Sequence, residues 1–155
     1  MIAVILAAGM ASRLRPLTND RPKCLLEVGR RTLLQRTVDA LLEAGLREFV
    51  VVTGYRGEMI RQFLTKQYPD QTFHFIDNAV FDKTNNIYSL WLTRPFTDGK
   101  DFLLLDSDIL FDPALLRPLL DTPTTALAVN RHELGEEEVK TIVDEAGQVV
   151  GIGKQ

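Results

Sequence analysis

Cys24 is the only cysteine in the chain, so an internal disulfide framework is excluded and a reducing compartment fits. Histidine is nearly as scarce. His74 falls in an apolar segment and His132 in a polar one, and neither has a partner at metal-ligand spacing, so both read as structural. Long hydrophobic runs are missing too. The longest, residues 1–8, is broken by Gly9, has no basic leader and falls well short of the roughly 18 residues a membrane span needs. Excess positive charge is also absent. A net charge of −3 disfavours binding to nucleic acid through bulk electrostatics, although an acidic protein can still hold phosphates with backbone amides and a few placed cations. These absences lead to the expectation of a soluble, cytoplasmic protein with no membrane and no nucleic-acid partner.

With 155 residues, 45% of them hydrophobic, the chain suits one compact domain over 1–155 and needs no staples to fold. Ile2-Ala3-Val4-Ile5-Leu6 is a continuous apolar run entering the small residues Ala7-Ala8-Gly9, the pattern of a buried parallel strand running into a loop. Residues 10–29 are polar, carry Pro16 and Pro22, and predict a long loop of the kind that is usually functional. The spacing of Leu33, Leu34, Val38, Leu41 and Leu42 predicts a helix over 33–44, with Gly45 suited to its C-terminal cap. Strands are expected at 49–53, 72–76 and 102–105, and helices at 58–67, 86–93 and 113–120. An apolar run at 125–129 and an alternating tail that reads as a hairpin follow. The resulting fold is α/β, a Rossmann-like three-layer α/β/α domain with a mainly parallel sheet. The chain stops just after the hairpin with no closing helix, so a domain truncated at its C-terminus is expected.

Four stretches carry chemistry. In Leu6-Ala7-Ala8-Gly9-Met10-Ala11-Ser12-Arg13, small residues at a strand's carboxyl end let the backbone approach a base or phosphate, and Arg13 offers a planar fork with a permanent charge. A tight turn with a surface arginine explains the same residues equally well. It is neither a P-loop, whose lysine follows the last glycine directly, nor a three-glycine dinucleotide fingerprint. In Arg21-Pro22-Lys23-Cys24 the proline fixes the backbone ahead of a lysine that can reach the phosphates, where an ammonium stabilises charge developing in a transition state. An exposed lysine is the plainer alternative. Cys24 suits a buried small residue better than a nucleophile.

Asp106-Ser107-Asp108 follows an apolar strand directly. Carboxylates two residues apart there can share one Mg²⁺ whose other positions go to phosphate oxygens and water, although aspartates also form caps and turns, the reading preferred for Asp112 before Pro113. Asn85 and Asn86 open a helix either as an N-cap or as amides presented to an acceptor's polar head. Tyr88 and Trp91, three apart, suit a core more than a ligand cage.

In this order the pieces resemble the sugar-phosphate nucleotidyltransferase superfamily, whose signature is Leu-Ala-Ala-Gly-x-Gly-x-Arg-Leu-x-Pro-Leu-Thr, then Pro-Lys, then an acidic metal site after a central strand. The matching residues are Leu6 to Gly9, Ser12-Arg13-Leu14, Pro16-Leu17-Thr18, Pro22-Lys23 and Asp106-Ser107-Asp108. Val52-Thr53-Gly54-Tyr55, the segment from Thr84 to Leu90 and the tail are similar to the phosphocholine and 2-aminoethylphosphonate cytidylyltransferase branch. The resemblance implies that Leu6, Ala7, Ala8, Gly9 and Ser12 bind the nucleotide and that Arg13 and Lys23 hold its phosphates. It implies that Asp108, with Asp106 alongside, binds Mg²⁺, and that Asn85, Asn86 and Tyr88 line the acceptor side. Arg13, Lys23 and Asp108 are then the catalytic set.

The implied reaction transfers CMP from CTP to a small phosphorylated acceptor such as phosphocholine or a phosphonate, with release of pyrophosphate. The alternatives are a sugar-1-phosphate uridylyl- or guanylyltransferase and, from another class, a nucleotide-binding module without turnover. A homo-oligomer is compatible with all three. Two departures bear on this. Ala11 stands where the family has glycine, at a cost of about 1 kcal/mol or more if that residue needs a positive φ. The family also continues past the equivalent of Lys154 with a late aspartate that completes the metal site.

Overall fold

The computed structural model describes residues 1–130 and 139–153, so His132 lies outside the described residues. The chain divides into two compact units, Met1–Leu120 and Asp121–Gln155. The first contains a four-stranded parallel sheet built from β1 (Ile2–Ala7), β4 (Glu48–Thr53), β5 (Thr72–Asp77) and β6 (Phe102–Asp106). Their order across the sheet is β5-β4-β1-β6. Every pairing is parallel, with Leu6 opposite Val52 on one side and Asp106 on the other.

The continuous apolar runs are explained by cover on both faces. Alternate residues Ala3, Ile5, Ala7, Phe49 and Val51 point to one face. There they pack against Leu34, Val38 and Leu41 of α1 (Leu33–Glu43), Ile60 and Leu64 of α2 (Gly57–Gln67), and Leu116 of α5 (Leu116–Asp121). Ile2, Val4, Leu6, Val50 and Val52 point to the other, covered by Leu90 of α3 (Asn86–Leu92) and Phe96 of α4 (Arg94–Thr97). A strand whose odd and even positions are both apolar is the sequence expression of this three-layer arrangement.

Capping follows the sequence. The Thr32 hydroxyl accepts from the Gln35 amide at the start of α1, and Gly45, at φ 94°, turns the chain out of it. Asp112 caps the 3₁₀ turn that leads into α5 by accepting from the Ala114 amide, as expected. His74, in β5, stacks on Phe96 at 4.8 Å.

The structure adds detail inside the loop expected over 10–29. Two 3₁₀ turns, Ser12–Leu14 and Lys23–Leu25, interrupt it, the Arg15–Pro16 peptide is cis, and β2 (Glu27–Val28) pairs with β3 (Arg31–Thr32) about Gly29. Two-residue strands carry no readable period. The expected helix over 113–120 is a 3₁₀ turn at Pro113–Leu115 continued by α5. In the second unit, residues 125–129 form no strand, and the expected hairpin is present as β7 (Lys140–Val143) antiparallel to β8 (Val149–Gly153), with Gly147 at φ 79° in the turn. No helix among the described residues is long and apolar enough to cross a membrane.

Candidate active site

The strand order fixes where a ligand can enter. From β1 the chain winds outward through β4 to β5, then returns to the other side of β1 with β6, so the direction of winding switches between β1 and β6. In open α/β sheets a crevice opens at the carboxyl ends of the strands at such a switch. Those two ends here are Ala7-Ala8-Gly9 and Asp106-Ser107-Asp108, and they are tied together by the Ser107 amide donating to the Leu6 carbonyl at 3.0 Å. A cavity of about 540 Å³ lies there.

Leu6, Ala7, Ala8, Gly9, Arg13, Lys23, Asn86, Asp106 and Asp108 all line this cavity. The loop after β1, the Pro-Lys turn and the acidic pair, more than 80 residues apart in sequence at the extreme, therefore meet at one sheet edge. Ala11, Leu14, Ser89 and Ser107 also line it, although no feature of the sequence assigns any of them a binding role. Ser89 lies one helical turn after Asn86, so the i, i+3 rule would have found it. Three expected residues are placed otherwise. Ser12 is not among the lining residues, Asn85 caps α3 by accepting from the Ile87 amide at 3.2 Å, and Tyr88 stacks on Trp91 at 5.6 Å.

Each functional group has a local reason for its position. Gly9 has nothing within 4 Å of where a β-carbon would stand, so the space over its backbone is open to a ligand. Lys23 heads a 3₁₀ turn whose N-cap is Pro22 at φ −64°, and the buried Cys24 and Leu25 pin that turn to the core. Its ammonium donates to Asp108 Oδ2 at 2.7 Å. Asn86 Nδ2 donates to Asp106 Oδ1 at 3.0 Å. Burial, and then the negative Asp108 nearby, hold the Asp106 carboxyl above its usual range, and Lys23 opposes them.

The Asp106 carboxyl, held above its usual range by burial and a negative neighbour, makes with Asp108 a donor set that a hard, oxygen-seeking cation fits. Among the described residues no third His, Cys, Asp or Glu joins them, so the cation's other ligands would be phosphate oxygens, water or groups from elsewhere.

Ala11 does adopt the left-handed conformation, φ 48° and ψ 45°. For a residue with a β-carbon that costs about 1–2 kcal/mol, partly offset by the lower unfolded-state entropy of alanine. Ala11→Gly is therefore expected to stabilise the chain by about 0.5–1 kcal/mol, read as a higher urea midpoint at unchanged slope.

Cys24 is 2% exposed, and burial pushes its thiol up from 9.0 to about 12, although a hydrogen bond with the Ser107 side chain works the other way. The native thiol is thus expected to resist iodoacetamide at pH 8 and to react only after unfolding. Because the folded value is the higher one, the stability it supports is complete below pH 9 and falls as the pH rises towards 12. Rapid native alkylation would contradict the burial.

The MobA-like NTP transferase domain family matches residues 3–146, nearly the whole chain. The chain belongs to that family. This NTP transferase domain is 38% identical over 130 residues to the CMP-5′-(3-aminopropyl)phosphonate synthase of Streptomyces rubellomurinus, covering 83% of the chain and 20% of that protein. It is 32% identical to the choline-phosphate cytidylyltransferase of Haemophilus influenzae, covering 98% of the chain and 62% of the relative. The solved CTP:phosphocholine cytidylyltransferase of Streptococcus pneumoniae superposes with a TM-score of 0.72 at 25% identity, over 97% of the domain and 63% of that chain. The domain therefore spans less than two thirds of the length of each of these three proteins.

Proposed function

We propose that this domain catalyses, or supplies the nucleotide half of, transfer of CMP from CTP to a small phosphorylated or phosphonate acceptor. The observation that carries this reading is the meeting of Gly9, Arg13, Lys23 and the Asp106/Asp108 pair around one cavity at the switch between β1 and β6. The choice of cytidine and of a phosphocholine- or phosphonate-like acceptor rests on similarity to the cytidylyltransferases above.

In the reaction an ionised acceptor oxygen attacks the α-phosphorus of CTP, the bond from that phosphorus to its bridging oxygen breaks, and pyrophosphate departs. Such an oxygen needs no strong base, so positioning and charge neutralisation are the whole task. The open backbone over Gly9 receives the nucleotide, Arg13 grips phosphate oxygens, and Lys23 places its ammonium where negative charge builds up. Asn86 orients Asp106 beside Asp108. Magnesium held by Asp106 and Asp108 would neutralise the triphosphate and ease departure of pyrophosphate. Action in the cytoplasm completes the reading, in keeping with a chain whose only cysteine is a buried thiol.

The test mixes the purified chain with each NTP, Mg²⁺ and phosphocholine, 2-aminoethylphosphonate or a sugar 1-phosphate, and measures pyrophosphate. Release with CTP and one of the first two acceptors is expected. Release only with UTP or GTP and a sugar phosphate would move the assignment within the class. Nucleotide binding without pyrophosphate from any acceptor would make the chain a binding module.

A further inference from the structure

The loop that carries Gly9 and Arg13 is held at both ends by one residue outside it. Tyr55 follows Gly54 at the corner between β4 and α2, and its backbone N–H donates to the Ala8 carbonyl at 3.1 Å, where the loop begins. Its phenolic hydroxyl shares its proton between the Thr18 and Asn19 carbonyls, each at 3.0 Å, where the loop turns back. The corner presses on the loop directly, for a β-carbon on Gly54 would stand 2.7 Å from the Ala8 oxygen.

Arg56 reinforces the contact from a costly conformation. It has φ 49° and ψ 37°, in the left-handed region that side chains disfavour. From there its guanidinium donates to the Asn19 carbonyl at 3.0 Å and to the Tyr55 hydroxyl at 3.2 Å. The grip continues inward through Thr18, which is fully buried and whose hydroxyl donates to the Ala11 carbonyl at 3.0 Å. Ala11 opens the 3₁₀ turn that bears Arg13. A path of hydrogen bonds therefore runs from the β4–α2 corner to the arginine's own turn.

We infer that Tyr55, backed by Arg56, is a positioning residue that staples the nucleotide loop closed at both ends and so sets the domain's affinity for the nucleotide. Without the phenolic bond the loop must be ordered when the ligand arrives, and binding weakens by that cost. The affinity part rests on the nucleotide reading above; the stapling itself does not.

The sequence supplies a readout of loop order. Trypsin cuts poorly before proline, and Arg15 and Arg21 both precede proline, so Arg13–Leu14 is the one readily cleaved bond between residues 10 and 22. Tyr55→Phe, which keeps the ring against Phe81, is expected to speed native cleavage there by roughly three- to tenfold and to raise the Kd for CTP with Mg²⁺ by a similar factor. Tyr68→Phe, which loses phenolic bonds to Asp39 and the Gln35 carbonyl elsewhere in the fold, should leave that cleavage rate unchanged.

Arg56→Gly separates positioning from stability. It relieves the left-handed backbone and deletes the bond to Asn19, so the urea midpoint should hold or rise while Arg13–Leu14 cleavage accelerates. The inference falls if Tyr55→Phe is cleaved at the wild-type rate, or if Tyr68→Phe is cleaved equally fast. It also falls if Arg56→Gly loses stability and loop order together. A wild-type chain that binds no CTP would overturn the nucleotide reading, and the cleavage ratios alone would then decide the staple.

Discussion

Lys23→Ala is expected to lower CTP-dependent pyrophosphate release by about 10²- to 10³-fold while leaving thermal stability nearly unchanged. On the proposed reaction the two effects differ because the ammonium serves an ion pair in the fold and the charge of the transition state in turnover. It pairs with Asp108 at 2.7 Å, with the side chains 34% and 36% exposed. Water screens a pair so placed, and such pairs contribute about 0–1 kcal/mol. A preorganised donor aimed at developing charge contributes about 2.7–4 kcal/mol, and each 1.36 kcal/mol is about tenfold in rate. Lys23→Arg should recover only part of the activity, since a planar guanidinium cannot take the place of a compact ammonium on a turn fixed by Pro22 and Cys24. A loss of less than about threefold in Lys23→Ala, measured at saturating CTP, would remove Lys23 from the transition state.

That lysine also shows which parts of the molecule could be read in advance. The apolar runs of β1 and β4 were legible because a strand covered on both faces has no polar side to disguise it, whereas in β6 only Leu103 and Leu105 reach the core and Phe102 and Leu104 stay exposed. The acidic pair was legible because two carboxylates directly beyond such a strand lie at the edge where ligands enter. Even the backbone of Ala11 was foreseeable, since a glycine in the family's pattern marks a position where a left-handed turn is needed.

What escaped are contacts between segments far apart in sequence. Nothing in Asn86 announces a bond to Asp106 twenty residues later, whereas the cap that Asn85 forms on the Ile87 amide, two residues on, was one of its two readable roles. In the sequence Tyr55 stands out only as part of a matching motif, yet its hydroxyl reaches carbonyls 36 and 37 residues away. Pattern reveals which face of an element is buried. It does not reveal which side chain will find which carbonyl, because that depends on how three layers settle against one another.

The second large effect is expected at Asp108. On the proposed reading that the pair holds the metal, Asp108→Ala should reduce transfer by about 10³-fold or more and abolish tight Mn²⁺ binding, measured by electron paramagnetic resonance, because losing one of two carboxylates at a metal site forfeits several kcal/mol of charge stabilisation. Its effect on folding should be small and of mixed sign. The substitution takes away the Lys23 ammonium's partner, but it also removes the negative neighbour that adds to burial in holding the Asp106 carboxyl above its usual range. The double variant Lys23→Ala/Asp108→Ala makes the sharper test. Two residues serving one triphosphate act as a unit, so removing both should cost little more than removing the worse of the two. Strict multiplication of the single effects, reaching about 10⁵-fold or beyond, would instead mean that Lys23 and Asp108 contribute to the transition state independently. Their 2.7 Å contact would then be a property of the resting fold alone.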